Sequence, residues 1–227
     1  MARSSPTCVT VFVVDDDDSI RRSLSRLFKS AGYQVVTFGS ASEFLASDCH
    51  RQCPACLVLD VCLPELTGMQ LQSRLHILNS SLPIIFITGH GDIPMSVQAM
   101  KSGAVDFLAK PFDDTQLLEA AARAIEKNVA DQRNRLERES IQARLATLTP
   151  REREVCELIV TGRLNKQVAA ELGTVEKTVK VHRSRVMAKM QVQSLAELVH
   201  LAEHVGLQSP DAARRGSSAG AQSLRPD

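Results

Sequence analysis

Five short apolar runs recur through the first half of the chain: VTVFVV at 9–14, YQVVTF at 33–38, CLVLD at 56–60, PIIFIT at 83–88 and VDFLA at 105–109. Between them lie stretches of helical periodicity near 19–31, 41–46, 66–78 and 94–102, and a fifth begins near Asp114. Runs this short and this continuously apolar read as strands buried on both faces, which a parallel sheet covered by helices provides. Each intervening stretch is long enough for the helical crossover that parallel neighbours need.

Five such units in about 120 residues predict an α/β, flavodoxin-like, doubly wound five-stranded parallel domain. In such sheets the site lies at the carboxyl ends of the strands. Asp15 and Asp16 follow the first run, Asp60 ends the third, Thr88 ends the fourth and Lys110 follows the fifth. Three converging carboxylates raise one another's pKa, a cost that a hard cation such as Mg²⁺ removes. Asp60 is then a nucleophile toward a phosphoryl group, with Lys110 neutralising equatorial oxygens and Thr88 hydrogen-bonding one of them. Asp17 and Asp18 continue the acidic run but begin the next helix, whose positive end favours negative charge and whose free amides need a cap. Phosphatases that form an aspartyl-phosphate commonly place a second acid two residues after the nucleophile. Cys62 stands there, so a hydrolase is not expected.

Charge divides the chain. Residues 1–124 hold 10 Lys and Arg against 13 Asp and Glu, whereas 147–205 hold 9 against 7, with three His besides. Lys177, Lys180, Arg183, Arg185 and Lys189 face a single acid, Glu176, across 176–190. Two domains with different partners are implied. From 114 to 146 the pattern stays helical, with Leu118, Ala121, Ile125, Val129 and Leu136 among dense charge. A charged spacer helix is favoured over a dimerising coiled coil, whose seam Gln132 and Ser140 weaken. Helices then follow at 150–160, opened by Pro150, at 165–172, closed by Gly173, and at 176–190. Val168, Ala169 and Leu172 are expected to pack on Val175, Val179 and Val186, a helix-turn-helix pair that leaves Lys177, Lys180, Arg183 and Ser184 outward.

The expected layout is a first domain over 8–125, a helical linker over 126–146, a DNA-binding domain over 147–206 and a disordered polar tail over 207–227. No apolar run is long enough to span a membrane, and MARSSPTC leads into a strand rather than a signal-peptide core, so a cytoplasmic location is expected. Cys49, His50, Cys53 and Cys56 crowd one segment. A structural zinc site takes a second ligand pair at a distance and none is read beside it; Cys56 is expected to pack as a small hydrophobe.

VVDDDDSIRRSL, CLVLDVCLPELTGMQL and PIIFITGHGDIPMSVQAMKSGAVDFLAKPF resemble the signature blocks of a two-component receiver domain, in order, over roughly 9–125. The resemblance implies Asp60 as phosphoacceptor, with Asp15, Asp16, Asp60 and the backbone carbonyl of Cys62 arranged around Mg²⁺. It implies Thr88 and Phe107 as a switch pair, Lys110 as the phosphate-binding ammonium and a cis Lys110–Pro111 bond. Phe107 replaces a frequent Tyr, and a purely structural role as a core aromatic stays open. LTPREREVCELIVTGRLNKQVAAELGTVEKTVKVHRSRVMAKM resembles a LuxR-type helix-turn-helix of the FixJ/NarL class. By family position Lys180, Val181 and Ser184 face bases, while Lys166, Thr178, His182 and Arg183 lie nearer phosphates beside Lys177. A last helix over 194–205, with Leu195, Leu198, Val199 and Leu201, is the implied dimerisation helix; without the family, that stripe reads equally as core. FITGHGDIPM and NKQVAAELG…VKVH are especially similar to regulators of styrene and toluene degradation.

These readings predict a two-component response regulator rather than a turnover enzyme. A sensor histidine kinase phosphorylates Asp60, and the chain, as a homodimer, binds double-stranded promoter DNA and regulates, as an activator, transcription by RNA polymerase. The alternative is a phosphorylation-independent transcription factor whose receiver serves as an interaction module.

Overall fold

The computed structural model describes residues 9–49, 54–89 and 93–207, which form two compact units divided after Asn134. In the first, β1 (Thr10–Val14), β2 (Gln34–Phe38), β3 (Ala55–Asp60), β4 (Ile84–Thr88) and β5 (Asp106–Ala109) make one sheet in the order β2-β1-β3-β4-β5. Every neighbouring pair is parallel. The chain steps outward from β1 to β2 and then back past β1 to β3, so a crevice opens where the order reverses.

Side chains alternate between the faces, as the pleat requires. Phe12, Val14, Leu57, Leu59 and Phe86 point to one side, where α2 (Ala41–Ala46), α3 (Gly68–Ile77) and α4 (Ile93–Lys101) supply Phe44, Leu71, Leu75 and Ala99. Val11, Val13, Val58, Ile85 and Ile87 point to the other, against Leu24 and Phe28 of α1 (Asp18–Ser30) and Leu117, Ala121 and Ala124 of α5 (Asp114–Ala146). Central β1, β3 and β4 are buried throughout, but β2 is largely exposed, with Val36 40% accessible. It is an edge strand of the sheet among the described residues.

Cys56 is wholly buried in β3, and burial pushes its thiol up to about 12. It packs as a hydrophobe. His50 and Cys53 lie outside the described residues, and Cys49 is half-buried.

The long α5 turns Leu117, Ala120, Ala121, Ala124 and Ile125 inward. Asn128 continues the stripe: its Oδ1 accepts from Ala55 N at 3.1 Å and its Nδ2 donates to Ser81 O at 3.0 Å. Val129 and Leu136 are exposed instead. At its far end, Ile141 and Leu145 enter the core of the second unit.

There they meet α6 (Pro150–Ile159), α7 (Asn165–Glu171), α8 (Glu176–Met190) and α9 (Leu195–His204), packed through Val155, Ile159, Val168, Val179, Val186 and Leu198. Thr149 opens α6 with a reciprocal capping box to Glu152 and Pro150 at the first turn. Gly173, at φ +61°, turns the chain after α7. Val175 departs from the expected packing: as the extended residue that precedes α8, it turns its side chain outward and is 65% exposed. The expected tail lies outside the described residues beyond Leu207.

Candidate functional site

At the carboxyl edge of the sheet, β1 delivers Asp15, β3 delivers Asp60 and β4 delivers Thr88, all buried. Lys110, just past β5, spans the crevice: its Nζ lies 2.7 Å from Asp15 Oδ2 and 2.7 Å from Asp60 Oδ2. Its backbone N donates to Thr88 O at 2.7 Å, and the Lys110–Pro111 peptide is cis. Burial raises the Asp15 carboxyl above its ordinary value despite the pull of Lys110. Burial alone would lower the Lys110 ammonium, but its bonds to the two carboxylates outweigh this and raise it. An ion pair is thus held in a site that disfavours isolated charge.

Asp16 is exposed beside them, and one oxygen from each of Asp15, Asp16 and Asp60 lies within 4.8 Å of the others. A small ion that holds oxygens at about 2.1 Å needs only modest side-chain rotation to gather them. The donor set is all hard oxygen, which fits Mg²⁺.

The acidic run is also braced from below. Asp17 caps α1, its Oδ1 accepting from Ser19 N at 2.7 Å, and Asp18 lies in the first turn. The Ser19 bonds hold the Asp17 carboxyl below its ordinary value. Arg21 donates through Nη1 to Asp15 O at 2.7 Å and Asp16 O at 2.9 Å, and through Nη2 to Asp18 Oδ1 at 3.1 Å. This guanidinium was absent from the sequence expectations, although its position three residues after Asp18 on a helix signals it.

On the other side, Cys62 N donates to Asp60 Oδ1 at 2.9 Å, and Cys62 Sγ lies 3.9 Å from Thr88 Oγ1. Gly68, at the start of α3, touches the backbone behind Asp60: a Cβ there would sit 2.4 Å from Asp60 O. Phe107 is half-buried, with its ring centroid 6.2 Å from that of Phe86. It belongs to the core edge rather than to the carboxylate cluster. A groove of about 990 Å³ adjoins the site along α1 and 110–114, with Arg22, Arg26, Leu27 and Phe112 in its walls.

In the second unit, Lys166, Lys177, Lys180, Val181 and Ser184 are exposed, whereas Thr178, His182 and Arg183 are half-buried. Lys180 pairs with Glu176 at 3.2 Å, and Arg183 Nη1 donates to Asn165 Oδ1 at 3.3 Å, tying α8 to α7. Leu164 and Val175, which precede α7 and α8, are 69% and 65% exposed and offer no side-chain cap. At α7 the Gln167 side chain reaches back instead, its Oε1 accepting from Leu164 N at 2.8 Å, whereas Val175 gives the first amides of α8 no side-chain cap. Behind α8, Lys189 Nζ donates to Glu152 Oε2 at 2.6 Å and to Thr147 O at 2.9 Å. With the Thr149 cap, this holds the buried Glu152 carboxyl down to about 2.

An aspartate cluster with a lysine at the switch-point crevice of a β2-β1-β3-β4-β5 sheet, followed by a basic helix-turn-helix, defines a signal receiver joined to a DNA-binding module. Comparison with known proteins agrees. Residues 11–122 match the response regulator receiver domain, and 146–202 match the luxR family of bacterial regulatory proteins. The chain is 52% identical over 201 residues to Nodulation protein W of Bradyrhizobium diazoefficiens, covering 88% of each. It is 45% identical over 196 residues to the response regulator protein TodT of Pseudomonas putida, covering 86% of each. The structure of the response regulator StyR aligns with a TM-score of 0.78 at 47% identity, covering 87% of this chain and 99% of that one. The chain therefore belongs to the two-component response regulators that couple a receiver domain to a LuxR-type DNA-binding domain and regulate transcription. Among the described residues, no helix is long and apolar enough to cross a membrane.

Proposed function

We propose that this response regulator, acting in the cytoplasm, is controlled by phosphorylation of Asp60. The carrying observation is the placement of Lys110 Nζ 2.7 Å from both Asp15 and Asp60 at a crevice edge that Asp16 completes. Asp15, Asp16, Asp60 and the backbone carbonyl of Cys62 would hold Mg²⁺, which when bound supplies charge neutralisation to the incoming phosphoryl group. An Asp60 carboxylate oxygen attacks phosphorus in line, a P–O bond forms as the P–N bond to the kinase histidine breaks, and the electron pair returns to the imidazole. Lys110 exchanges part of its carboxylate pairing for a phosphoryl oxygen. Thr88 donates its hydroxyl to another, and its inward movement frees room that Phe107 takes up. Both belong to strands on one side of the sheet, so the surface around α4 and β5 changes with them. The groove beside α1, flanked by Arg22 and Arg26, suits a helix of the sensor kinase.

The output is promoter binding. Exposed Lys180, Val181 and Ser184 of α8 reach base edges in the major groove, with Lys166, Lys177, Thr178, His182 and Arg183 toward phosphates. A phosphorylated chain binds as a homodimer, with α9 between the copies, and recruits RNA polymerase as an activator. The likeness to styrene- and toluene-type regulators supports promoters of aromatic-hydrocarbon catabolism as targets. Footprinting of genomic fragments with and without acetyl phosphate and Mg²⁺ tests this directly. Protection that strengthens with acetyl phosphate upstream of such operons is the expected result. Equal protection in both conditions favours the phosphorylation-independent reading.

A further inference from the structure

Outside both the cysteine segment and the aspartate cluster, the last helix carries a pair of imidazoles, a side chain suited to transition metals. His200 and His204 stand four residues apart on α9, in the stretch HLAEH. Their rings meet edge to face with centroids 4.7 Å apart. Spacing of four residues stacks side chains on one helix face. His200 is exposed and His204 half-exposed, and among the described residues neither ring has a hydrogen bond or an ion pair. No described residue therefore competes for their nitrogens. Two ligands at 2.0–2.1 Å from a tetrahedral ion lie about 3.3 Å apart, within reach of two rings already in contact.

We propose that His200 and His204 form a bidentate site for a divalent transition ion of the Zn²⁺, Ni²⁺ or Cu²⁺ class. Imidazole nitrogens suit these ions, whereas Mg²⁺ takes oxygen, so the site is chemically separate from the aspartate cluster. Glu197, one turn earlier on the same side, is engaged at the helix start: its Oε2 accepts from Gln193 N at 2.9 Å and its backbone N donates to the Ser194 cap at 3.2 Å. Water fills the remaining coordination positions. An ion bridging one turn of α9 stabilises its helical form, and with it the packing of Leu198 and Ala202 in the second unit. Metal supply then adds to the stability of the DNA-binding unit.

The test is calorimetric titration of the full-length protein with Ni²⁺ at pH 7.5 and in excess Mg²⁺, alongside His200→Ala, His204→Ala and the double variant. Each single substitution is expected to weaken one Ni²⁺ event by about tenfold or more, and the double variant to lose it. Ni²⁺ should raise the unfolding temperature of the second unit in the wild type only. Both positions are at least partly exposed, so metal-free unfolding of the variants should match wild type and verify their fold. A Ni²⁺ isotherm that is unchanged in the single variants overturns the assignment.

Discussion

At the scale of single residues, the acidic run is two devices joined. Asp15 turns into the crevice and is neutralised by Lys110, while Asp17 and Asp18 serve the start of α1, and Arg21 ties the halves together through the Asp15 and Asp16 backbone carbonyls and the Asp18 carboxylate. Removing the lysine leaves two buried carboxylates facing each other. Lys110→Ala is therefore expected to cost the metal-free protein about 2 kcal/mol and to make its stability strongly Mg²⁺-dependent, as read by denaturant melts with and without the ion. Gly68 has an equally local role. A methyl group there must displace the Asp60 backbone, so Gly68→Ala should destabilise the receiver unit by about 1–3 kcal/mol and slow phosphate uptake, measured on the same sample. Glu152 supplies the acid-sensitive link of the second unit. Its folded carboxyl, at about 2, lies below the unfolded value of 4.5, so its contribution is full above pH 4.5 and is lost as pH falls toward 2. Chemical denaturation between pH 5 and 3 should show a steeper loss in wild type than in Glu152→Gln. Parallel slopes would contradict the Lys189 pairing.

At the scale of elements, strand and helix bounds were legible to within two residues in the receiver, because each run has one period and is punctuated by a cap or a turn. The carboxylates of the site were legible for the same reason: each sits at the end of a strand. What could not be read depends on contacts distant in sequence. Nothing in the segment around Asn128 announces that it closes Ala55 N and Ser81 O, 73 and 47 residues away. Glu152 and Lys189 are likewise 37 residues apart. Val175 misled because apolarity alone does not distinguish a core residue from an outward one at a helix start. The same outward character marks Val181 on α8, 46% exposed in the face that carries Lys177 and Lys180. Two substitutions separate its roles. Lys177→Ala should weaken binding to all DNA alike and reduce the salt slope by about 1, whereas Val181→Ala should blunt the preference between sites with little change in slope. Fluorescence anisotropy over a salt series measures both.

At the scale of the whole molecule, the receiver and the DNA-binding unit are distinct cores joined by α5, which begins on the sheet at Leu117 and ends in the helical core at Leu145. One element thus has a buried face in both units, with exposed Val129 and Leu136 between them. For a chemical change at Asp60 to alter transcription, it must shift an equilibrium between states of the protein, by an amount bounded by the new contacts of one phosphoryl group. The most direct measurement is acid-labile phosphate incorporated from labelled acetyl phosphate in the presence of Mg²⁺, compared between wild type and Asp60→Asn. Stoichiometric, hydroxylamine-sensitive label in wild type and none in the variant is the result the account predicts. Equal labelling of Asp60→Asn, or no Mg²⁺-dependent label in either protein, would contradict it.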